Sequence, residues 1–206
     1  MKIEKIIEKL LLDSTTMDDM SLFHGKMGIA IALYHYSRRY NDFFVSQYCD
    51  EIIEQIYDKK NLEEDLSFEN GLAGIAWGIC YLLEQEFLEA DSLQDVLEDI
   101  DRAFLKYSYQ RFEDKSLKTG LEGIYVYIQS RHKLAEKYNE PAFFSQEIIA
   151  EIQGSRGLEV SEKSQQEKLF SIEYFLSENL DPSNTNISKL GLDKGYSAYV
   201  LENSLM

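Results

Sequence analysis

Four side chains that could donate or accept protons lie at or inside short glycine-containing segments: His24, Glu69, Glu122 and Asp193. Because an imidazole titrates near neutral pH, His24 is a candidate general acid or base. Two carboxylates placed across a pocket could perform acid–base chemistry of the kind that cleaves glycosidic bonds. Each residue also has a purely structural explanation. Carboxylates near helix N-termini are ordinary partners of the helix dipole, and His24 could cap or pack against its own helix.

The segments that carry these residues repeat along the chain. Each contains two glycines and is followed by an apolar run. The first glycines of successive segments are 46, 49 and 71 residues apart. The glycine pairs are Gly25 and Gly28, Gly71 and Gly74, Gly120 and Gly123, and Gly191 and Gly195. Self-similarity at this period predicts a fold built from one repeated supersecondary unit.

The glycine pairs could shape a ligand site or a helix junction. A first helical turn without Cβ atoms can be approached closely by a ligand, and its free N–H groups attract negative charge. We therefore consider the first three glycine pairs as candidate substrate-binding residues, together with Trp77 and Tyr125 on the helices that follow. Crowding of one helix against another explains the same glycines without a ligand.

The hydrophobic pattern between these segments predicts pairs of helices. The runs after Gly25, Gly71 and Gly120 are apolar on nearly every face, which is typical of buried helices. Residues 44–56 and 93–104 follow the first two runs with the periodicity of amphipathic helices. After the third run, Pro141 indicates a helix start, residues 153–157 an interruption, and residues 169–176 an additional helix. A fourth buried helix is predicted to begin near Gly191.

The elements together predict an all-α fold. Residues 3–12 form a further amphipathic helix pattern, and no run shows the alternation of period two that is typical of strands. We expect an α/α toroid-type array of inner and outer helices, with about four repeats in a partial ring, as a single domain of residues 1–206. The apolar ends of such a ring would be covered by the first helix and by a second subunit or the additional helix.

The composition limits the classes of function. The net charge of −16 disfavours nucleic acid and an anionic membrane surface as partners and suits a basic peptide. No stretch approaches the roughly 18 apolar residues that span a bilayer, and no signal-peptide pattern is visible. Cys49 and Cys80 are too few for a disulfide framework and lack metal-ligand spacing. A cytoplasmic location is the expectation.

Two of the repeated segments resemble the inner-helix starts of the LanC-like family, which contains the lanthionine synthetase cyclases. They are residues 24–30, with the sequence HGKMGIA, and residues 70–78, with the sequence NGLAGIAWG. The resemblance extends over residues 22–202 and implies an α/α toroid. It also implies a zinc ion held by two cysteines and a histidine, which activates a peptide thiol for addition to dehydroalanine or dehydrobutyrine.

The zinc ligands that the resemblance implies have no counterparts in this chain. Phe23 stands where a Cys-His-Gly motif would have its cysteine, and Cys80 lies in a predicted helix instead of a Trp-Cys-Tyr-Gly turn. The family's acid–base histidine lies in a His-Gly-x-x-Gly turn of a later repeat than that of His24. A full ring of the family has seven inner helices, of which four are predicted here. We therefore expect neither a metal site nor a cofactor.

The sequence favours a LanC-like protein associated with lanthionine- or thioether-type modification of a ribosomally made peptide. It would bind the precursor peptide or act beside another peptide-modifying enzyme, without a zinc site of its own. Whether the chain has cyclase activity is left open. The alternatives are a metal-free α/α-toroid enzyme that uses the candidate carboxylates on carbohydrate, and a non-catalytic helical scaffold.

Overall fold

All the regular secondary structure in the part of the chain that the structure describes is helical. The structure is a computed structural model that describes residues 3–60, 62, 65–156, 172, 190–193 and 195–205. These residues form eight α-helices: α1 (Ile3–Thr15), α2 (Lys26–Tyr40), α3 (Phe43–Lys59), α4 (Leu72–Glu84), α5 (Leu93–Phe104), α6 (Leu121–Tyr138), α7 (Gln146–Arg156) and α8 (Tyr196–Leu205). The prediction of an all-α fold is confirmed, since no strand occurs in the described ranges. No described helix combines the length and the hydropathy needed to cross a membrane.

The helices belong to two compact units. The first unit contains α1, α2, α3 and α8, and the second contains α4 to α7 with a short 3-10 helix at Tyr109–Arg111. In the first unit, α2 packs against both α3 and α8, and α1 contacts α2 and α8. In the second unit, α4 packs against α6 and α5, and α6 packs against α7. The toroid-type ring and the single domain stay predictions.

The predicted difference between buried and amphipathic helices is present in each unit, and we keep the names inner and outer helices for these two kinds. Every residue from Lys26 to Ser37 in α2 is buried, as is every residue from Leu72 to Leu83 in α4. By contrast, α3 and α5 each bury one face and expose acidic residues on the other. The helices that follow the glycine segments therefore form the cores of their units.

Three predicted boundaries are wrong. Helix α7 begins at Gln146 and not at Pro141, because the Ser145 hydroxyl accepts the Ile148 N–H at 3.5 Å and caps the helix there. The helix then continues through residues 153–156, where an interruption was predicted. The fourth inner helix begins at Tyr196 and not near Gly191. The additional helix predicted for residues 169–176 lies outside the described residues apart from Ile172.

In each unit, a tyrosine–aspartate hydrogen bond joins an inner helix to an outer helix. In the first unit, the Tyr34 hydroxyl of α2 donates to the Asp50 carboxylate of α3 at 2.5 Å. In the second unit, the Tyr127 hydroxyl of α6 donates to the Asp101 carboxylate of α5. Arg131 Nε also donates to Asp101, at 3.0 Å.

The aspartate–arginine pair of the second unit is removed from solvent. The side chains of Asp101 and Arg131 are 0% and 2% exposed. Burial raises the pKa of Asp101, and the Arg131 charge and the hydrogen bonds from Tyr127 and Arg131 oppose that rise. The carboxylate therefore depends on its partners for compensation of lost hydration.

Replacing Arg131 with Met is expected to lower the free energy of unfolding by about 3–5 kcal/mol, because the Asp101 carboxylate would stay buried without its cation. The double variant R131M/D101N should recover most of the loss, since neither charge remains. Urea denaturation followed by circular dichroism measures both. Arg102→Met, which removes the exposed pair with Glu98, is the control and should have a much smaller effect. Equal losses of unfolding free energy for Arg131→Met and Arg102→Met would contradict the conclusion that Asp101 depends on Arg131 as a buried partner.

Candidate functional site

The glycine segments that open α2, α4 and α6 share one backbone conformation. In each, a glycine caps the helix with φ between −108° and −116° and ψ between −162° and −164°. The carbonyl of an aspartate six residues earlier accepts the N–H of the residue after this glycine at 2.9–3.0 Å. The carboxylate of the same aspartate accepts a serine N–H at 2.7–2.8 Å. The aspartate–serine pairs are Asp19 and Ser21, Asp65 and Ser67, and Asp114 and Ser116.

Sequence reasoning missed these aspartates. The pattern Asp-x-Ser-x-x-x-Gly-x-x-Gly was the signal that could have identified them, since it occurs three times in the printed sequence. In the third copy, hydrogen bonds from the Thr119 hydroxyl and the Ser116 N–H lower the pKa of Asp114. The aspartates therefore serve as acceptors that close each turn.

Crowding of the backbone explains the glycines. A Cβ on Gly71 would lie 2.0 Å from the Asp65 carbonyl oxygen. A Cβ on Gly123, the second glycine of its segment, would lie 2.4 Å from the Phe68 Cβ. In the described residues, the close approach that these glycines permit is therefore filled by protein atoms.

In the second unit, two glycine segments lie against each other. The backbone N–H groups of Phe68 and Glu69 both donate to the Lys118 carbonyl oxygen, at 2.9 and 2.8 Å. The Glu69 carboxylate also forms an ion pair with Lys118 Nζ at 3.1 Å. Glu122 lies in the first turn of α6, the helix that follows Lys118. The structure therefore places the candidate carboxylates Glu69 and Glu122 in neighbouring segments.

The first unit contains a corresponding contact. The Asp193 N–H donates to the Phe23 carbonyl oxygen at 3.2 Å. A Cβ on Gly191 would lie 2.7 Å from the His24 Cα, so the fourth segment also lies beside His24. The candidate residues His24 and Asp193 therefore belong to neighbouring segments, and both side chains are half-buried.

This contact corrects the alignment of the fourth segment. Asp193 lies two residues before Gly195, as Glu69 lies two residues before Gly71, and both donate a backbone N–H to the neighbouring segment. Gly195 directly precedes α8 and is therefore the counterpart of Gly71. The prediction that Gly191 is the first glycine of the fourth segment was wrong. Gly191 is followed by a second glycine at a spacing similar to that of the other pairs, but it does not lie directly before a helix.

The two aromatic candidates lie in the core of the second unit. Trp77 is fully buried, with its ring stacked on Tyr81 at 5.2 Å and tilted against Phe68 at 5.5 Å. Tyr125 is 7% exposed, and its hydroxyl accepts a hydrogen bond from the Gln153 amide at 3.1 Å. A substrate-binding role for these residues and for the glycines stays a prediction.

The cysteines do not fit the zinc site that the resemblance implies. Cys49 in α3 and Cys80 in α4 are free and fully buried. Burial raises the pKa of both thiols, whereas a zinc ligand must lose its proton. Within the described ranges, no three histidine, cysteine, aspartate or glutamate side chains are grouped so that they could hold a metal ion.

An open cleft of about 710 Å³ lies at the C-terminal ends of α4 and α6 in the second unit. Its lining combines apolar and charged residues: Leu83, Leu88, Ala90, Tyr138, Glu86, Glu89, Asp91 and Lys137. Lys137 Nζ lies 3.2 Å from both the carbonyl oxygen and the carboxylate of Glu84. Helix C-termini carry partial negative charge, so the cleft favours cationic groups. No motif marks these residues, and sequence reasoning missed them.

Lys26 is a buried cation in the first turn of α2. It is 1% exposed, and its ammonium group donates to the Gln55 amide oxygen of α3. Burial and the nearby Lys59 lower its pKa, although Asp18 opposes this. The position directly after the cap glycine is leucine in α4 and α6, namely Leu72 and Leu121. The first repeat therefore has a polar contact where the others have an apolar side chain.

Gly71→Ala is expected to destabilise the protein by about 1–3 kcal/mol, because the added methyl group would overlap the Asp65 carbonyl. The matched control is Gly154→Ala in α7, where a Cβ would have no atom within 4 Å. That variant should gain about 0.4–1 kcal/mol by restricting the unfolded chain. Urea denaturation measures both, and changes of the same sign would refute the assigned role of Gly71.

Lys26→Leu is expected to stabilise the protein near neutral pH, because it removes a buried amine. The folded-state pKa of Lys26 is lowered from 10.5, so the penalty is fully present below that lowered pKa and disappears as the pH rises to the unfolded value. The gain should therefore shrink with increasing pH. Thermal unfolding over a pH series measures it, with exposed Lys106→Leu as the control. A gain that grows with pH would be inconsistent with a buried charge.

A family model described as "Lanthionine synthetase C-like protein" matches residues 2–128. The match covers α1 to α5 and the first part of α6, and it includes the three glycine segments closed by aspartates. No curated protein matches the chain. The matched residues are more than half of the chain and contain both segments on which the resemblance was based. The chain belongs to the lanthionine synthetase C-like family.

Proposed function

We propose that this chain is an accessory member of the family, which binds a ribosomally made precursor peptide and has no zinc site of its own. The family match carries the link to lanthionine- or thioether-type peptide modification. The accessory role is supported by the two cysteines, whose full burial in helices leaves neither thiol accessible to a substrate or a metal. A basic segment of the precursor's leader peptide is the ligand that suits this acidic chain best.

Charge supports a basic peptide as the ligand. The chain has a net charge of −16, and the cleft beside α4 and α6 has three carboxylate-bearing residues, Glu86, Glu89 and Asp91. The ammonium group of Lys137 already lies 3.2 Å from the Glu84 carboxylate. A lysine of a bound peptide could make the same kind of charge-assisted hydrogen bond with Glu89 or Asp91. The apolar walls formed by Leu83, Leu88 and Tyr138 would contact the aliphatic part of such a side chain.

Fluorescence anisotropy with a labelled lysine- and leucine-rich peptide tests this function. The peptide is expected to bind with an affinity that falls as salt is added, because salt screens exposed charges. The same peptide with glutamate in place of lysine should not bind. Glu89→Lys combined with Asp91→Lys should weaken binding by about tenfold. The matched control, Asp95→Lys with Asp99→Lys, makes the same charge change on the exposed face of α5 and should have a much smaller effect.

Each part of the proposal can fail separately. Equal weakening by the two double variants would mean that net charge, and not the cleft, attracts the peptide. A wild-type chain that does not bind the basic peptide would contradict peptide binding. Metal analysis of the purified chain tests the accessory role, and one tightly held zinc ion per chain would overturn it. Thioether formation in a dehydrated peptide by the chain alone would do the same.

A further inference from the structure

Both inner helices of the second unit end at the cleft between α4 and α6. The chain leaves each helix through a residue with positive φ, which is 57° at Glu86 after α4 and 54° at Asn139 after α6. The carbonyl groups of a last helical turn lack partners within their own helix and carry partial negative charge. The two helix ends therefore add to the attraction of the cleft for cations.

Lys137, a residue of α6 that lines the cleft, places its ammonium group against the end of α4. Its Nζ donates to the Glu84 carbonyl oxygen at 3.2 Å and lies 3.2 Å from the Glu84 carboxylate. The Glu86 carboxylate lies 4.0 Å from the same nitrogen. We call these three acceptor groups the ammonium position. They surround a primary ammonium group, and the chain fills the position with a lysine of its own.

The contact between Lys137 and Glu84 is open to solvent. The side chain of Lys137 is 41% exposed and that of Glu84 is 26% exposed. An ion pair with this much access to water contributes little, because water competes for both groups and two long side chains lose freedom when they pair. The pair of Asp101 and Arg131 in the same unit is, by contrast, removed from solvent. Lys137 is therefore an occupant that another ammonium group can replace.

We propose that Lys137 is an intramolecular competitor that sets the affinity of the cleft for basic peptides. In the unbound chain Lys137 fills the ammonium position, and a lysine of the peptide must displace it to reach Glu84. Displacement leaves a second cation in the cleft, and repulsion between the two ammonium groups also opposes binding. This inference rests on the proposed binding of a basic peptide and gives one residue of the same cleft a specificity-determining role.

Competition at Glu84 determines where the net affinity comes from. Exchange of Lys137 for a peptide lysine conserves the number of ion pairs at the ammonium position, so the exchange itself contributes little. Additional lysines of the peptide form new charge-assisted hydrogen bonds with Glu89 and Asp91. A peptide with several lysines is therefore favoured over a peptide with one.

Fluorescence anisotropy with the lysine- and leucine-rich peptide tests the competition. Lys137→Met should bind the peptide about fivefold more tightly than the wild-type chain does, which corresponds to one exposed ion pair. Lys137→Arg keeps the cation and should bind like the wild type. The matched control is Lys106→Met, which removes the same charge from an exposed residue after the C-terminal end of α5, whereas the cleft lies before its N-terminal end. Its affinity should stay close to that of the wild type.

A double-variant cycle separates competition for Glu84 from general repulsion by the lysine charge. In a chain that also carries Glu84→Gln, the gain from Lys137→Met should fall below about twofold, because the vacated position no longer has its carboxylate. General repulsion predicts the same gain with glutamate or glutamine at this position. A gain that stays near fivefold in the Glu84→Gln chain would therefore overturn the proposal.

The outcomes distinguish this inference from the proposed function. Absence of binding by both the wild-type chain and Lys137→Met would contradict peptide binding itself. Binding by the wild type that Lys137→Met leaves unchanged would overturn the competitor role alone. Binding by Lys137→Met but not by the wild type would support the competitor and contradict peptide binding by the unaltered chain. Circular dichroism of each variant checks that the helices remain folded.

Discussion

The hydrogen bond from the start of α2, α4 and α6 to an aspartate carbonyl is the constraint on which the rest of the described structure depends. It brings the chain back on itself six residues before the cap glycine, and the aspartate carboxylate holds the same loop through a serine N–H. The loop is so tight that a Cβ on Gly71 would overlap the Asp65 carbonyl oxygen. Once closed, it fixes the entry of the buried helix and leaves adjacent backbone groups free to bond to another loop, as Glu69 does to Lys118.

The repeats share these turns but differ in their polar core contacts. Tyr34 of α2 bonds to an aspartate on the helix that follows it, whereas Tyr127 of α6 bonds to one on the helix that precedes it. Only the second of these aspartates has an arginine partner among the contacts described above. Lys26 likewise takes a position that leucine occupies in the next two repeats. The glycine turns, which contain the sequence pattern of the family, are therefore the same in these repeats even though the polar contacts inside the helices differ from one repeat to another.

Local patterns allowed much of the fold to be predicted. The apolar runs after Gly25, Gly71 and Gly120 and the amphipathic stripes of α3 and α5 indicated buried and half-buried helices. Contacts between distant segments could not be read in the same way. Asp101 and Arg131 are 30 residues apart, and neither residue alone indicates a buried pair. The counterpart of Gly71 in the last repeat became evident only from the Asp193 backbone contact, because the spacing of the last two glycines favoured Gly191.

Trp77 gives the second unit a property that the first does not share. It is the only tryptophan of the chain, and it is enclosed by Phe68 and Tyr81 with no exposed surface. Its intrinsic fluorescence therefore reports on the second unit alone, with an emission maximum at short wavelength while α4 stays packed. Far-ultraviolet circular dichroism, which detects helices in both units, observes the whole chain. Comparison of the two signals during unfolding would reveal whether α1 to α3 lose their structure at the same point as the core around the indole.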